Sequence, residues 1–147
     1  MRTLTREHAQ LAMFLGTWHI EGSNAPTAPR GADVEVNGDR SYTWLTGEFF
    51  LFGRWNHRAG HDSHIGTSVI GWDPDRRSFF AHNYDNLGYA REYTLSLHAG
   101  VWTFAGRFER ASLTFSETHR SFTERWEISK DSVSWRPLCE LRGTKLD

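Results

Sequence analysis

From residue 16 onward, apolar and polar residues exchange places at every second position, in short runs interrupted by turn residues. That is the period of a β-strand with one buried face. Trp102 and Phe104 flank Thr103, Tyr42 and Trp44 flank Thr43, and Phe122, Trp126 and Ile128 share a parity with Glu124. The pattern predicts strands over residues 17–24, 39–46, 48–57, 64–72, 77–84, 89–97, 101–107, 112–119, 122–129 and 133–145. The breaks carry turn chemistry: Asn37-Gly38, Thr46-Gly47, Ala59-Gly60, Asp73-Pro74-Asp75, Asn86-Leu87-Gly88, Ala99-Gly100 and Lys130-Asp131. One longer irregular stretch, residues 25–36 with Pro26, Pro29 and Gly31, reads as a loop over one end. The first 15 residues differ. Leu4, His8, Leu11, Phe14 and Leu15 fall at helical spacing, Thr3 or Thr5 can cap the helix, and Gly16 stops it.

About ten short strands with tight connections make an antiparallel meander. An open sheet of that size leaves two edges and one apolar face uncovered, and closure removes both problems. The expected fold is therefore all-β: an antiparallel up-and-down β-barrel of about ten strands, residues 16–147, with residues 1–15 as a helical plug. The whole chain, 1–147, reads as one domain. A two-sheet sandwich is the alternative.

Composition sharpens this. The 147 residues include 10 Phe, 7 Trp and 4 Tyr. Indoles need burial and a partner for their N–H, so an aromatic-lined interior is implied. The 17 basic and 18 acidic residues give a net charge of −1, which removes the electrostatic case for nucleic acid as a partner. Only Lys130 and Lys145 are lysines. Cys139 is the single cysteine, so no intrachain disulfide forms, and a cytoplasmic location is expected. The longest N-terminal apolar run, residues 11–15, is too short for a signal-peptide core or a membrane span.

Four constellations can carry chemistry. Glu124 lies on an apolar face, where a carboxylate needs a partner or a raised pKa; Arg91 and Arg107 are the candidates. As a functional group it is a ligand anchor or a general acid/base, as a structural one an interior ion pair. His82 and Tyr84 share a parity, and if they face inward they form a proton-transfer pair oriented by Asp85; if Phe79 and Ala81 face inward instead, they lie outside. His57, His61 and His64, with Asp62, have a spacing that can ligate zinc, but Arg58-Ala59-Gly60 reads as a hairpin tip and no metal is expected. Cys139 reads as a small buried hydrophobe. The run Gly47 to Phe52 is apolar on both faces, with either Phe49, Leu51 and Trp55 or Phe50 and Phe52 inside. The set left outside makes a surface patch suited to helix cover or a homodimer contact.

The junction Phe14-Leu15-Gly16-Thr17-Trp18, a helix delivering Gly-x-Trp into the first strand, resembles the lipocalin and calycin signature, in which the Trp closes one barrel end. Taken with Trp44-Leu45, Gly47-Glu48-Phe49-Phe50-Leu51, Ile70-Gly71-Trp72-Asp73-Pro74 and His82-Asn83-Tyr84-Asp85-Asn86 before Gly88, the chain resembles, over nearly its whole length, a family of uncharacterised bacterial lipocalin-like domains of unknown function. More distant resemblances are to nitrobindins and fatty-acid-binding proteins. Nitrobindins ligate haem through a His near the C-terminus. Here the last His is His119 and Pro137 to Arg142 contains none, so neither haem nor another cofactor is expected. The fatty-acid-binding analogy implies Arg residues holding a carboxylate, with Arg107, Arg125 and Arg142 on late strands.

The expected function is binding of a small hydrophobic or aromatic molecule in the lumen with one polar anchor, lined by Trp18, Trp44, Trp55, Trp72, Arg91, Tyr93, Phe104, Arg107, Glu124 and Trp126. Two alternatives stand beside it: an isomerase or cyclase moving protons through His82, Tyr84 or Glu124, and a plugged barrel acting through its surface.

Overall fold

The computed structural model describes residues 1–27 and 30–146. A helix α1, Arg6–Gln10, runs into a 3₁₀ turn, Leu11–Phe14, and then ten strands follow. They are β1 (Gly16–Asn24), β2 (Val34–Trp44), β3 (Phe50–Ala59), β4 (Asp62–Asp73), β5 (Ser78–Asp85), β6 (Ala90–His98), β7 (Val101–Ala105), β8 (Glu109–Phe115), β9 (Ser121–Ile128) and β10 (Arg136–Leu146). Each pairs antiparallel with its sequence neighbour, and β1 pairs with β10, closing the barrel. The sandwich alternative is thereby excluded.

Every expected strand forms, with one informative shift. The second begins at Val34 instead of residue 39, because Asn37-Gly38 is strand and not a turn. Gly38 sits between Ile20 and His57, and a Cβ there would lie 2.1 Å from the Asn56 carbonyl oxygen. The glycine serves close packing of the wall. The irregular stretch is correspondingly shorter; of its residues, Ala28 and Pro29 lie outside those described.

The meander puts the starts of β1, β3, β5, β7 and β9 at one end, where the N-terminal segment lies. Thr5 starts the helix: its backbone N–H donates to His8 Nδ1 at 2.9 Å, and its hydroxyl lies 3.0 Å from the same nitrogen. Gly16 takes φ +121°, a value that turns the chain out of the 3₁₀ turn into β1. Trp18 Nε1 donates to the Phe14 carbonyl at 2.9 Å, satisfying an acceptor that the helix end leaves open. The Phe14 ring lies 5.1–5.4 Å from those of Trp102, Tyr42 and Phe115. Trp18, Trp102, Leu11, Ile20, Leu51 and Ile70 are fully buried around it. This end of the lumen is solid.

The run at Gly47 to Phe52 resolves with Leu51 inside and Phe50 and Phe52 outside. Phe50 meets Phe80 across Gly71 on the outer wall, with ring centroids 6.2 Å apart. Phe49 leaves the wall and packs edge-on against His8 at 5.3 Å. Among the described residues, no helix is long and apolar enough to cross a membrane.

Because Phe14 ties the plug to rings on several strands, Phe14→Ala is expected to cost about 3–5 kcal/mol. Urea unfolding followed by Trp fluorescence measures it, and an unchanged midpoint would mean that the plug contributes nothing to closure.

Candidate functional site

Midway along the lumen the interior changes character. Arg40 on β2 and Glu124 on β9 point inward from walls separated by β1 and β10, and both are buried. They meet as two parallel hydrogen bonds: Nη1 donates to Oε1 at 2.9 Å and Nη2 to Oε2 at 3.0 Å. This fork geometry is the strongest arrangement open to the two groups. Burial alone would lower the Arg40 pKa; the facing Glu124 carboxylate and the Tyr42 hydroxyl more than reverse that, and it rises. The Phe122 ring flanks the guanidinium at 5.5 Å.

Beyond this pair, toward the end away from the plug, the inward face becomes polar. Trp55 lies across Gly66 of the adjacent strand, where a Cβ would come within 2.1 Å of the indole. Glycine there lets the ring lie against the wall instead of crossing the lumen. His57, one inward position further on, is 8% exposed. Burial pushes its imidazole down, with the neighbouring Arg40 and His64 adding to the effect, to about 3. His57 Nε2 and Trp55 Nε1 are buried and have no hydrogen-bond partner. Trp102 Nε1, in the plugged end, shares that condition.

A second network rings the mouth. Arg91 Nη1 lies 3.5 Å from Asp85 Oδ2 and Nη2 lies 3.4 Å from Glu109 Oε1. The Tyr93 hydroxyl donates to Glu109 Oε2 at 2.8 Å. Burial, then Glu109, pushes the Tyr93 phenol well above its usual range, so it stays a donor. Burial would raise the Asp85 carboxyl; the His64 hydrogen bond at 3.0 Å and the backbone N–H groups of Tyr89 and Leu87 outweigh it and hold Asp85 low. The rings of Tyr93, Phe104 and Trp126 form one cluster, with centroids 5.4–6.2 Å apart. Cys139 faces the lumen beside Trp126, and burial, with Glu124 behind it, pushes its thiol up to about 12. A cleft of about 950 Å³ between the β1–β2 loop and the β8–β10 wall reaches Trp126 and Cys139.

Comparison with known proteins places this barrel. Residues 3–141 match the family described as "Protein of unknown function (DUF1579)". The chain belongs to the DUF1579 family. No curated protein matches it. Among solved structures, Rv2717c from M. tuberculosis is similar, with TM-score 0.72 and 13% identity over 99% of this chain and 100% of that one. The S-type phycobiliprotein lyase CPES from Guillardia theta has TM-score 0.63 and 14% identity, covering 95% and 91%. A de novo designed fluorescence-activating β-barrel has TM-score 0.50 and 13% identity, covering 97% and 100%. At these identities the likeness concerns the fold.

The DUF1579 chain brings together part of the set expected from sequence. Trp55, Arg91, Tyr93, Phe104, Glu124 and Trp126 face the polar half of the lumen. Trp18, Trp44 and Trp72 belong to the plugged end, where Trp72 stacks edge-on against Phe79 at 4.8 Å. Arg107 is exposed in the β7–β8 turn, over the Phe108 ring at 4.9 Å. Glu124 pairs with Arg40, and neither Arg91 nor Arg107 touches it. His82 and Tyr84 lie on the outer wall: His82 is 4.0 Å from Glu92, and Tyr84 is half exposed. Phe79, Ala81, Asn83 and Asp85 take the inner face, so His82, Tyr84 and Glu124 do not converge on one lumen point. Arg125 and Arg142 also face outward, paired with Glu140 and Glu21. His57 and His64 face each other across β3 and β4. Among the described residues no group of three or more His, Cys, Asp or Glu side chains is placed to hold a metal. Arg40 and His57 are the interior groups that sequence reading missed or misassigned. The signal was their shared parity with Tyr42 and Leu51.

Two outcomes follow. Glu124→Gln leaves a buried guanidinium without its counter-charge and should cost about 3–5 kcal/mol, much of it recovered in the double variant Arg40→Leu/Glu124→Leu. A double-variant cost equal to the sum of the two single-variant costs in urea unfolding would show that the pair is not coupled. For His57 the folded pKa is about 3 against an ordinary 6.5. As pH falls below 6.5 the unfolded chain takes up the proton first, so stability is lost between 6.5 and 3, with a slope of at most about 1.4 kcal/mol per pH unit. His57→Phe should flatten the stability–pH curve in that window, and an unchanged slope would place the titration elsewhere.

Proposed function

We propose that this DUF1579 barrel binds a small, largely aromatic molecule in the polar half of its lumen, with its rings against Tyr93, Phe104 and Trp126 and a polar group at β3. One observation carries the reading. Trp55 Nε1 and His57 Nε2 sit on the same inward face, buried, with their hydrogen-bonding capacity unused. An unmade buried hydrogen bond costs about 1–3 kcal/mol, and a guest that supplies the missing partner recovers it. The rigid surroundings, a plugged floor and a doubly bonded Arg40–Glu124 crosspiece, suit a preformed site.

A phycobiliprotein lyase and a fluorescence-activating barrel share the fold. That makes small-molecule chemistry in such a barrel familiar, but the reading rests on the residues above. A cytoplasmic setting belongs to the same reading, since the single Cys139 is a lumen-facing thiol held protonated by burial. The outer Phe50–Phe80 contact supports a homodimer as the remaining partner.

Titration with the uncharged probe N-phenyl-1-naphthylamine tests the reading. Saturable quenching of Trp fluorescence at one site is expected. Trp126→Leu should weaken it about tenfold, the scale of one lost ring contact, while Trp72→Leu in the plugged end leaves the affinity within about twofold. Non-saturable quenching, or equal losses in the two variants, would remove the lumen as the site.

A further inference from the structure

The proposed site has a charge preference written into it. Among the described residues, the lumen above the level of Arg40 faces two guanidiniums, Arg40 and Arg91, and three carboxylates, Glu124, Asp85 and Glu109. Both Arg40 nitrogens are taken by Glu124. Arg91 is divided between Asp85 and Glu109. Each inward cation is therefore already matched, and an incoming anion finds no free guanidinium. It would have to displace a carboxylate held in a fork or in a three-residue network.

With histidines counted as neutral, this half of the lumen carries one excess negative charge. His57 fits that count, because its environment opposes protonation. Arg58 and Arg107 are exposed on the outside and add nothing to the interior. The excess charge lies at the Asp85–Glu109 end, next to the Tyr93–Phe104–Trp126 cluster. Ring faces attract cations, and more strongly where water is thinned out. Acid and ring faces act together on the same sign of guest. The unpartnered Trp55 Nε1–H, a donor only, adds a demand for an acceptor atom on that guest.

We infer that the lumen is built for an aromatic organic cation bearing a hydrogen-bond acceptor, and that it rejects an anion of similar size. This rests on the binding reading above and specifies its ligand class. It also runs against the carboxylate-holding role implied by the fatty-acid-binding resemblance: the Arg residues of the late strands point outward and those inside are spoken for.

Three dyes of comparable size separate the possibilities at about pH 8: thioflavin T (cationic), N-phenyl-1-naphthylamine (uncharged) and 1-anilinonaphthalene-8-sulfonate (anionic). Thioflavin T should bind at least about tenfold more tightly than the sulfonate, and added salt should narrow the gap. Glu109→Gln, and independently Asp85→Asn, should weaken thioflavin T several-fold more than they weaken the uncharged dye. Sulfonate binding equal to or tighter than thioflavin T, or losses equal for the charged and uncharged dyes in both variants, overturns the charge preference and leaves the binding reading standing. Absence of saturable binding by all three overturns both.

Discussion

The interior of this barrel is organised by one interaction, the doubly hydrogen-bonded Arg40–Glu124 pair. A ten-stranded barrel encloses more volume than a single layer of aliphatic side chains fills. The chain meets that constraint with two different interiors. Below the pair, Phe14, Trp18, Trp102, Phe115 and Phe122 fill the space with tilted and edge-to-face rings. Above it, ionised groups, Tyr93, Trp55 and His57 line the wall. Two full charges are removed from water to make the boundary, which is tolerable only because every oxygen of Glu124 meets a guanidinium nitrogen and Tyr42 and Phe122 close the sides.

The mouth depends on that boundary. Asp85, Arg91, Glu109 and Tyr93 come from β5, β6 and β8, and they restrain one another through shared oxygens. Asp85 is tied further by the backbone N–H groups of Leu87 and Tyr89 in the following turn. The polar side chains of the mouth are thus held by hydrogen bonds and ion pairs to one another and to the backbone. Such support places a polar group to within a fraction of an ångström, as a surface loop does not.

Much of the architecture was legible in the alternation and the turn residues. Strands β3 to β10 were readable because most turns contain Gly or Asp at positions where few other residues serve, and Trp18 was placed by the Gly-x-Trp junction at the start of the first strand. Asn37-Gly38 misled because a glycine needed for wall packing looks, in sequence, like a glycine needed for a turn. The site was only half legible. Glu124 stood out as a lone acid on an apolar face, but its partner is 84 positions away on β2, which only the closure of β1 onto β10 brings near β9. Strand order and stagger are long-range properties, so local periodicity could name Glu124 and not Arg40. For β5, Phe79 and Phe80 present a ring to each face, and the choice between His82 and Asn83 is made by Ala81, whose small side chain fits under Tyr93 and Ile70. His57 escaped notice because it was read with its neighbours in the hairpin and not with Leu51 and Gly53 along its own strand.

Closure has one more consequence. Among the described residues every strand has a partner on both sides, including β1 with β10. Their ladder hydrogen bonds are consumed within the chain, so no strand is left to accept an extended peptide by lengthening the sheet. Whatever this protein recognises must meet side chains, either down the mouth of the lumen or flat against the outer wall. Its selectivity is then a matter of shape and charge at those two places, free of the sequence-tolerant backbone pairing that open sheets offer.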